Sequence, residues 1–155
     1  MSLIYSHINY CNLIWGAAEV GITEPLFILQ KKKSIRIITK SSYLEHTAPL
    51  FKSLKLLPVY QVYSLNCSLF MHKYLKCYYC PEFNVMIHRN SNYYDYNTRH
   101  RDMFQISQRI RLRICHRSFL NTGIGIWNSL GPEMKTINSI PLFKSKMNIF
   151  LILKS

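Results

Sequence analysis

The sequence predicts a mainly α fold: a small helical domain carrying an extended, β-type arginine-rich segment. Three observations predict it. Apolar residues recur at three- and four-residue spacing over most of the chain, the signature of helices with one buried face. The 155 residues are 48% apolar and 14% aromatic, enough to bury a core and too rich in rings for a disordered tail. Between Ile106 and Arg117 the period shortens to two, with Ile106, Ile110, Leu112 and Ile114 alternating against Arg109, Arg111, Arg113 and Arg117.

In chain order, Ser2 to Gly16 reads as one helix, with Leu3, Ile4, His7, Ile8, Cys11, Ile14 and Trp15 on its stripe and Gly16 as its stop. No cap or leader precedes it, the pattern expected of a segment taken from a longer chain. Thr23 to Lys40 reads as a second helix, with Pro25 in its first turn. Its apolar residues fall on two sides, Leu26, Leu29 and Ile37 on one and Phe27, Ile28, Ile35 and Ile38 on the other. Packing on both sides at its ends is expected, with Lys31, Lys32 and Lys33 exposed between. Thr47 followed by Pro49 reads as the N-cap of a short third helix. Pro58 then opens a fourth, Val59 to Lys76, whose apolar stripe is Val59, Val62, Tyr63, Cys67, Phe70 and Tyr74 and whose polar stripe is Gln61, Ser64, Ser68 and His72.

From about Lys76 to Phe104 the helical period gives way to Tyr, Asn and Arg, which reads as a linker or extended arm. The period-two stretch that follows favours a strand, a short helix being the alternative. Gly123 and Gly125 suggest a turn into a short helix through Ile126, Trp127 and Leu130, ended by Gly131 and Pro132. A last helix starts near Ser139 and Pro141. The expected organisation is a helical body over 1–76, an arm over 77–105, and the arginine strand with C-terminal helices over 106–155.

Charge carries most of the functional information. Twenty Lys and Arg against seven Asp and Glu give a formal +13, which points to a polyanionic partner because phosphate neutralisation releases condensed counterions. The bland alternative is the basic half of a protein whose acids lie elsewhere. Seven of the eight arginines lie between Arg89 and Arg117. Guanidinium grips phosphate in bidentate fashion, and alternate side chains on a strand stand about 7 Å apart, so Arg109, Arg111 and Arg113 would form a cationic row. Tyr93, Tyr94 and Tyr96, beside Arg99, His100 and Arg101, add rings on which unpaired bases can stack. Lys31, Lys32, Lys33, Arg36 and Lys40 form a second, less specific cluster; a run of this kind is usually plain exposed surface, with phosphate contact or imitation of a nuclear-localisation signal as the alternatives.

Other chemistries are weakly supported. Cys77 and Cys80, flanked by His72 and His88, have zinc-ligand types without the spacing of a zinc motif, and buried cysteines are the better reading. No Ser-His-acid or Cys-His arrangement can be argued from spacing, and Gly123-x-Gly125 lacks the third glycine of a nucleotide loop. Trp15 and Trp127 sit among aliphatic residues and read as core. No cofactor is expected. Five scattered cysteines, the odd number, and the first cation only at Lys31 argue against a disulfide scaffold, a secretory leader or a membrane span. The expected location is the nucleus or the cytoplasm.

Five ordered strings add a family likeness. "LIYSHINYCNLIWG", "LFILQKKKSIRIIT", "HTAPLFKSLKLLPV", "YNTRHRD" and "GIGIWNSLGPEMKTINSIPLFKSKMNIFL" together resemble the region that follows the polymerase core in animal LINE-type, non-LTR retrotransposon proteins. The likeness spans nearly the whole chain, although 77–92 departs from the pattern. It implies a parent RNA-directed DNA polymerase, with an upstream polymerase domain as one partner and RNA or single-stranded DNA as another. It does not imply catalysis by this piece. Such enzymes hold two metal ions on paired aspartates, and the two aspartates here, Asp95 and Asp102, are isolated in a basic stretch.

Overall fold

Pro58 sits in extended backbone immediately before Val59 and starts the central helix of the molecule, in a computed structural model that describes residues 2–76, 81–92, 101–106 and 111–154. That helix, α6 in chain order, spans Val59–Leu75. Val59, Val62, Tyr63, Cys67 and Phe70 are buried along it, as the apolar stripe predicts, and Leu65 and Met71, outside that stripe, are buried too. The expected polar stripe is buried as well: Gln61, Ser68 and His72 are all inside. This corrects a two-faced reading of the helix. With neighbours on more than one side, these groups go under cover: Ser68 Oγ donates to the Ser64 carbonyl of its own helix at 2.6 Å, His72 Nε2 donates to the Ile137 carbonyl at 2.7 Å, and Gln61 Oε1 is buried without a partner.

The N-terminal stretch is two helices, not one. α1, Ser2–Asn9, and α2, Asn12–Trp15, are separated at Cys11, whose φ of 48° is left-handed. Asn12 is buried there and, with Asn9, accepts from Asn66 Nδ2 on α6. A continuous helical rod follows, from α3 (Val20–Ile28) through a π-helical segment (Leu29–Ile35) to α4 (Arg36–Thr39). The wider π turn places residues four and five apart on one face, so Gln30, Ser34 and Ile35 all point inward. Gln30 then bridges to α6: its Nε2 donates to the Leu57 carbonyl at 3.0 Å and its Oε1 accepts from Val59 N at 3.0 Å. The rod is covered along less of its length than its two stripes suggest, because Ile22, Leu26, Leu29, Ile37 and Ile38 are exposed. α5 follows as Thr47–Ser53, with His46 in the capping position assigned to Thr47 from sequence.

Within the expected linker the described residues hold a small antiparallel pair. A 3-10 turn at Pro81–Val85 leads into β1 (Ile87–Arg89), a second 3-10 turn covers Asn90–Asn92, and β2 is Phe104–Ile106. The register pairs Ile87 with Ile106, His88 with Gln105 and Arg89 with Phe104. The arginine strand is corrected in turn. β2 ends at Ile106, 107–110 lie outside the described residues, Arg111 and Leu112 are irregular, and α7 (Arg113–His116) is a single helical turn.

α8, Phe119–Ser129, contains both Gly123 and Gly125 in its interior, where a turn was expected. Tertiary packing explains Gly123: a Cβ there would sit 2.9 Å from Met71 Cγ and 3.2 Å from the Cys67 carbonyl oxygen of α6. The glycine is a point of close helix approach. After α9 (Pro132–Lys135), α10 (Ile140–Lys154) buries Phe143, Met147 and Leu151 at four-residue spacing. These meet α6 and α8, with the Phe143 ring stacked on His72 at 4.3 Å and Trp127 buried beside them. The fold is mainly α, a three-helix core of α6, α8 and α10 with smaller elements around it. Among the described residues no helix is long and apolar enough to cross a membrane.

Candidate nucleic-acid interface

The β1–β2 pair is held against the helical core by buried Ile87, by Phe104 packed on the core, and by the side chain of Asn128. Asn128, near the end of α8, accepts from Phe104 N at 3.1 Å and donates to the Phe104 carbonyl at 2.9 Å. It satisfies the edge of β2 as a third strand would. The Phe104 ring in turn carries the Arg89 guanidinium, 5.1 Å from the ring centroid, and the pairing register sets the two side by side. Arg89 is thus held in place while remaining exposed. Arg101, also exposed, lies in the turn before β2, where its carbonyl accepts from Ser91 N.

Arg111, Arg113 and Arg117 lie on the segment that leads into α8. Arg111, Arg113 and His116 are exposed. Arg117 is different: it caps α7, its carbonyl accepts the Tyr63 hydroxyl at 2.7 Å, and its guanidinium lies 3.9 Å from the Glu19 carboxylate. Its Nε is buried without a partner. Arg113 and Arg117 are one helical turn apart, roughly 6 Å along the axis. Among the described residues, Arg89, Arg101, Arg111 and Arg113 are therefore exposed on the segment that runs from β1 to α8.

Behind Arg117 opens a cleft of about 440 Å³, whose walls include Trp15, Phe27, Tyr60 and Tyr63, with Glu24 and Arg117 as polar groups. Phe27 and Tyr60 meet edge to face at 5.6 Å. Trp15 is oriented by its indole N–H, which donates to the Tyr10 carbonyl at 2.7 Å. Burial pushes the Tyr63 phenol above its ordinary pKa, with the neighbouring Cys67 adding to the rise, so the hydroxyl stays a donor. An apolar groove of about 420 Å³, lined by Leu13, Ile14, Ile114 and Phe119, shares Ala17 and Ala18 with this cleft.

Of the residues expected from sequence, Arg101, Arg111, Arg113 and Arg117 fall on this one stretch. Arg99, Arg109, Tyr93, Tyr94 and Tyr96 lie outside the described residues, as do Cys77 and Cys80. Lys31, Lys32 and Lys33 are on the π-helical segment, and of their side chains only that of Lys33 is described, as exposed. His72, one flank of the zinc candidate, is buried with Nε2 committed to Ile137, and the described residues contain no group of three metal-binding side chains. Arg36 of the second cluster has an internal role, stacking over Tyr43 and donating to the Glu45 carbonyl at 2.9 Å.

The cleft itself was not singled out in the sequence. Trp15 reads as core and Tyr63 as stripe, and each takes that position on one side of its ring. The one local signal is Tyr60, an aromatic residue off the apolar stripe of α6 and 55% exposed.

Fold and site define a small, strongly basic, mainly α-helical domain with an arginine-bearing hairpin and turn beside an aromatic cleft. Family models, curated proteins and solved structures were all compared with the chain, and none matches.

Proposed function

We propose that this chain binds nucleic acid, RNA or single-stranded DNA, without base sequence preference and without catalysis of its own. In this reading it is a relative of the region that follows the polymerase core in LINE-type, non-LTR retrotransposon reverse transcriptases. It would hold template or target beside an upstream polymerase domain, in the nucleus or the cytoplasm. The observation that carries the reading is the exposure of Arg89, Arg101, Arg111 and Arg113 between β1 and α8, in a chain of net charge +13. Exposed arginines on one stretch, in a protein with this excess of cations, suit phosphate contact from outside.

Fluorescence anisotropy of a labelled 20-nucleotide RNA and its DNA equivalent, across a salt series, tests this. Affinity should fall with salt, and an Arg109, Arg111, Arg113 to Ala variant should lower the log–log slope by about 0.7 per lost phosphate contact. No affinity at low salt, or affinity without a slope, overturns it.

A second reading has its own observation. Ile22, Leu26, Leu29 and Ile37 stand exposed on the α3–α4 rod, and aliphatic side chains left uncovered along one element suit a docking site. As a docking module for the polymerase domain, the isolated chain would self-associate. Size-exclusion chromatography should then show concentration-dependent oligomers that Ile22→Lys with Ile37→Lys abolishes.

A further inference from the structure

The cleft between α2, α3, α6 and Arg117 has a lining unlike the apolar groove beside it. Four rings from three helices converge there: Trp15 from α2, Phe27 from α3, and Tyr60 and Tyr63 from α6. Glu24 and Arg117 share the wall. The volume of about 440 Å³ falls in the range of sites that take a small planar ligand with part of its polar frame.

We infer that this cleft is a nucleotide pocket in which one unpaired base of a bound strand stacks among Trp15, Phe27 and Tyr60 while its phosphate meets the arginine turn. The inference rests on the nucleic-acid reading above and gives it a specific base-binding site. Rings of this kind favour flat π-faced ligands whatever the base, which suits a strand bound without sequence preference. The Glu24 carboxyl offers an acceptor for an exocyclic amino group of adenine, cytosine or guanine. Arg117 brings a guanidinium into the wall, and Arg113 stands one turn earlier on the exposed side of the same stretch. A backbone leading out of the cleft therefore passes cations. An apolar peptide side chain would use the rings and leave the Glu24 carboxyl unused, and the chain's +13 charge complements a polyanion.

Trp15 makes the test direct, because it lines the cleft while Trp127 is buried in the core. The full chain is titrated with AMP, with ribose 5-phosphate and with toluene while tryptophan emission is followed, and the 20-nucleotide RNA is titrated in parallel by anisotropy. AMP should quench emission saturably, ribose 5-phosphate should not, and Trp15→Phe should remove the quenching. Tyr60→Ala, at an exposed position that leaves the core intact, should weaken both AMP and RNA by roughly tenfold. RNA binding with a salt slope that ignores Tyr60→Ala, and no AMP quenching, overturns the pocket and leaves the phosphate-binding surface standing. Quenching by toluene and not by AMP also overturns it, in favour of an apolar side chain as occupant. Failure of RNA and AMP alike overturns the pocket and the nucleic-acid reading together.

Discussion

The central helix α6 and the rod from α3 to α4 invert each other's chemistry. α6 buries Gln61, Ser68 and His72, whereas the rod exposes Ile22, Leu26, Leu29, Ile37 and Ile38. Polarity therefore does not decide burial here; the number of covered sides does. α6 is flanked by α8, α10 and α2; Ser68 finds an acceptor in a carbonyl one turn back and His72 in Ile137, whereas Gln61 Oε1 is buried without a partner. The rod lies at the edge and turns inward mainly Gln30, Ser34 and Ile35, leaving its aliphatic residues outside.

The largest effect expected from this contrast is at His72. His72→Ala removes a ring stacked on Phe143 at 4.3 Å and orphans the Ile137 carbonyl, and should cost about 3 kcal/mol in urea unfolding. Ile37→Ser on the rod, at a residue 74% exposed, should change stability by no more than about 0.5 kcal/mol. Comparable losses at the two positions would mean that the rod is covered in solution, by a second copy or by rearrangement.

Gln30 is the point where the two regions meet, and it sharpens the comparison. Its amide bonds both Leu57 and Val59, the residues on either side of Pro58. Pro58 breaks the local hydrogen-bond run, so the N–H at the start of α6 has to find its acceptor elsewhere. Gln30→Leu keeps the size and leaves two buried backbone groups unpaired, with an expected cost of about 2 kcal/mol. Gln30→Glu retains an acceptor for Val59 N but sets a buried carboxylate against the Leu57 carbonyl, and should cost at least as much as Gln30→Leu at neutral pH. Equal stability of wild type and Gln30→Leu would remove Gln30 as the link between rod and core.

How much of this was legible in the sequence follows the same division. The start of α6 at Pro58 and of α10 next to Ser139 and Pro141 are local signals, and the structure has both helices where those signals put them. The break at Cys11 has no local signature, since a cysteine in left-handed backbone is uncommon. Burial of the polar stripe on α6 was illegible because it depends on α8 and α10, which lie more than 40 residues downstream. The arginines were visible as a cluster, but the period-two pattern from Ile106 to Arg117 crosses from the end of β2 into the single turn of α7. The cleft was least legible of all: residues 15, 27, 60, 63 and 117 share it, and no spacing encodes that.

Alkaline pH separates the core by chemistry. Burial pushes the Cys67 thiol from an ordinary 9.0 up to about 12, and pushes Tyr63 upward from 10.0. Both groups are neutral when protonated, so a raised folded-state pKa favours the protonated folded chain. Their contribution is complete below about pH 9 and is lost as pH rises towards the folded values. Urea midpoints should hold up to pH 9 and decline above it, with a shallower decline in Tyr63→Phe. Alkylation at pH 8, mapped by mass spectrometry, should mark the exposed Cys11 and Cys115 well before the buried Cys67. A midpoint flat to pH 11, or Cys67 labelled as fast as Cys115, would mean that the core around α6 opens readily.

The smallest effects lie two residues apart on α8 and differ in sign. Both glycines are helical, so each carries the same intrinsic penalty relative to alanine, roughly 0.5 to 1 kcal/mol. At Gly125 a Cβ meets nothing within 4 Å, and Gly125→Ala should stabilise the chain by about that amount. At Gly123 the same methyl meets Met71 and, less yieldingly, the Cys67 backbone carbonyl. Met71 can move its flexible side chain, but the carbonyl belongs to α6, so α8 has to move out and the packing of Trp127 and Ile124 loosens with it. Gly123→Ala should then destabilise by about 1 kcal/mol net of the helical gain. A stabilising Gly123→Ala would mean that α8 does not approach α6 this closely, and the three-helix core would lose the contact that distinguishes it from the rod.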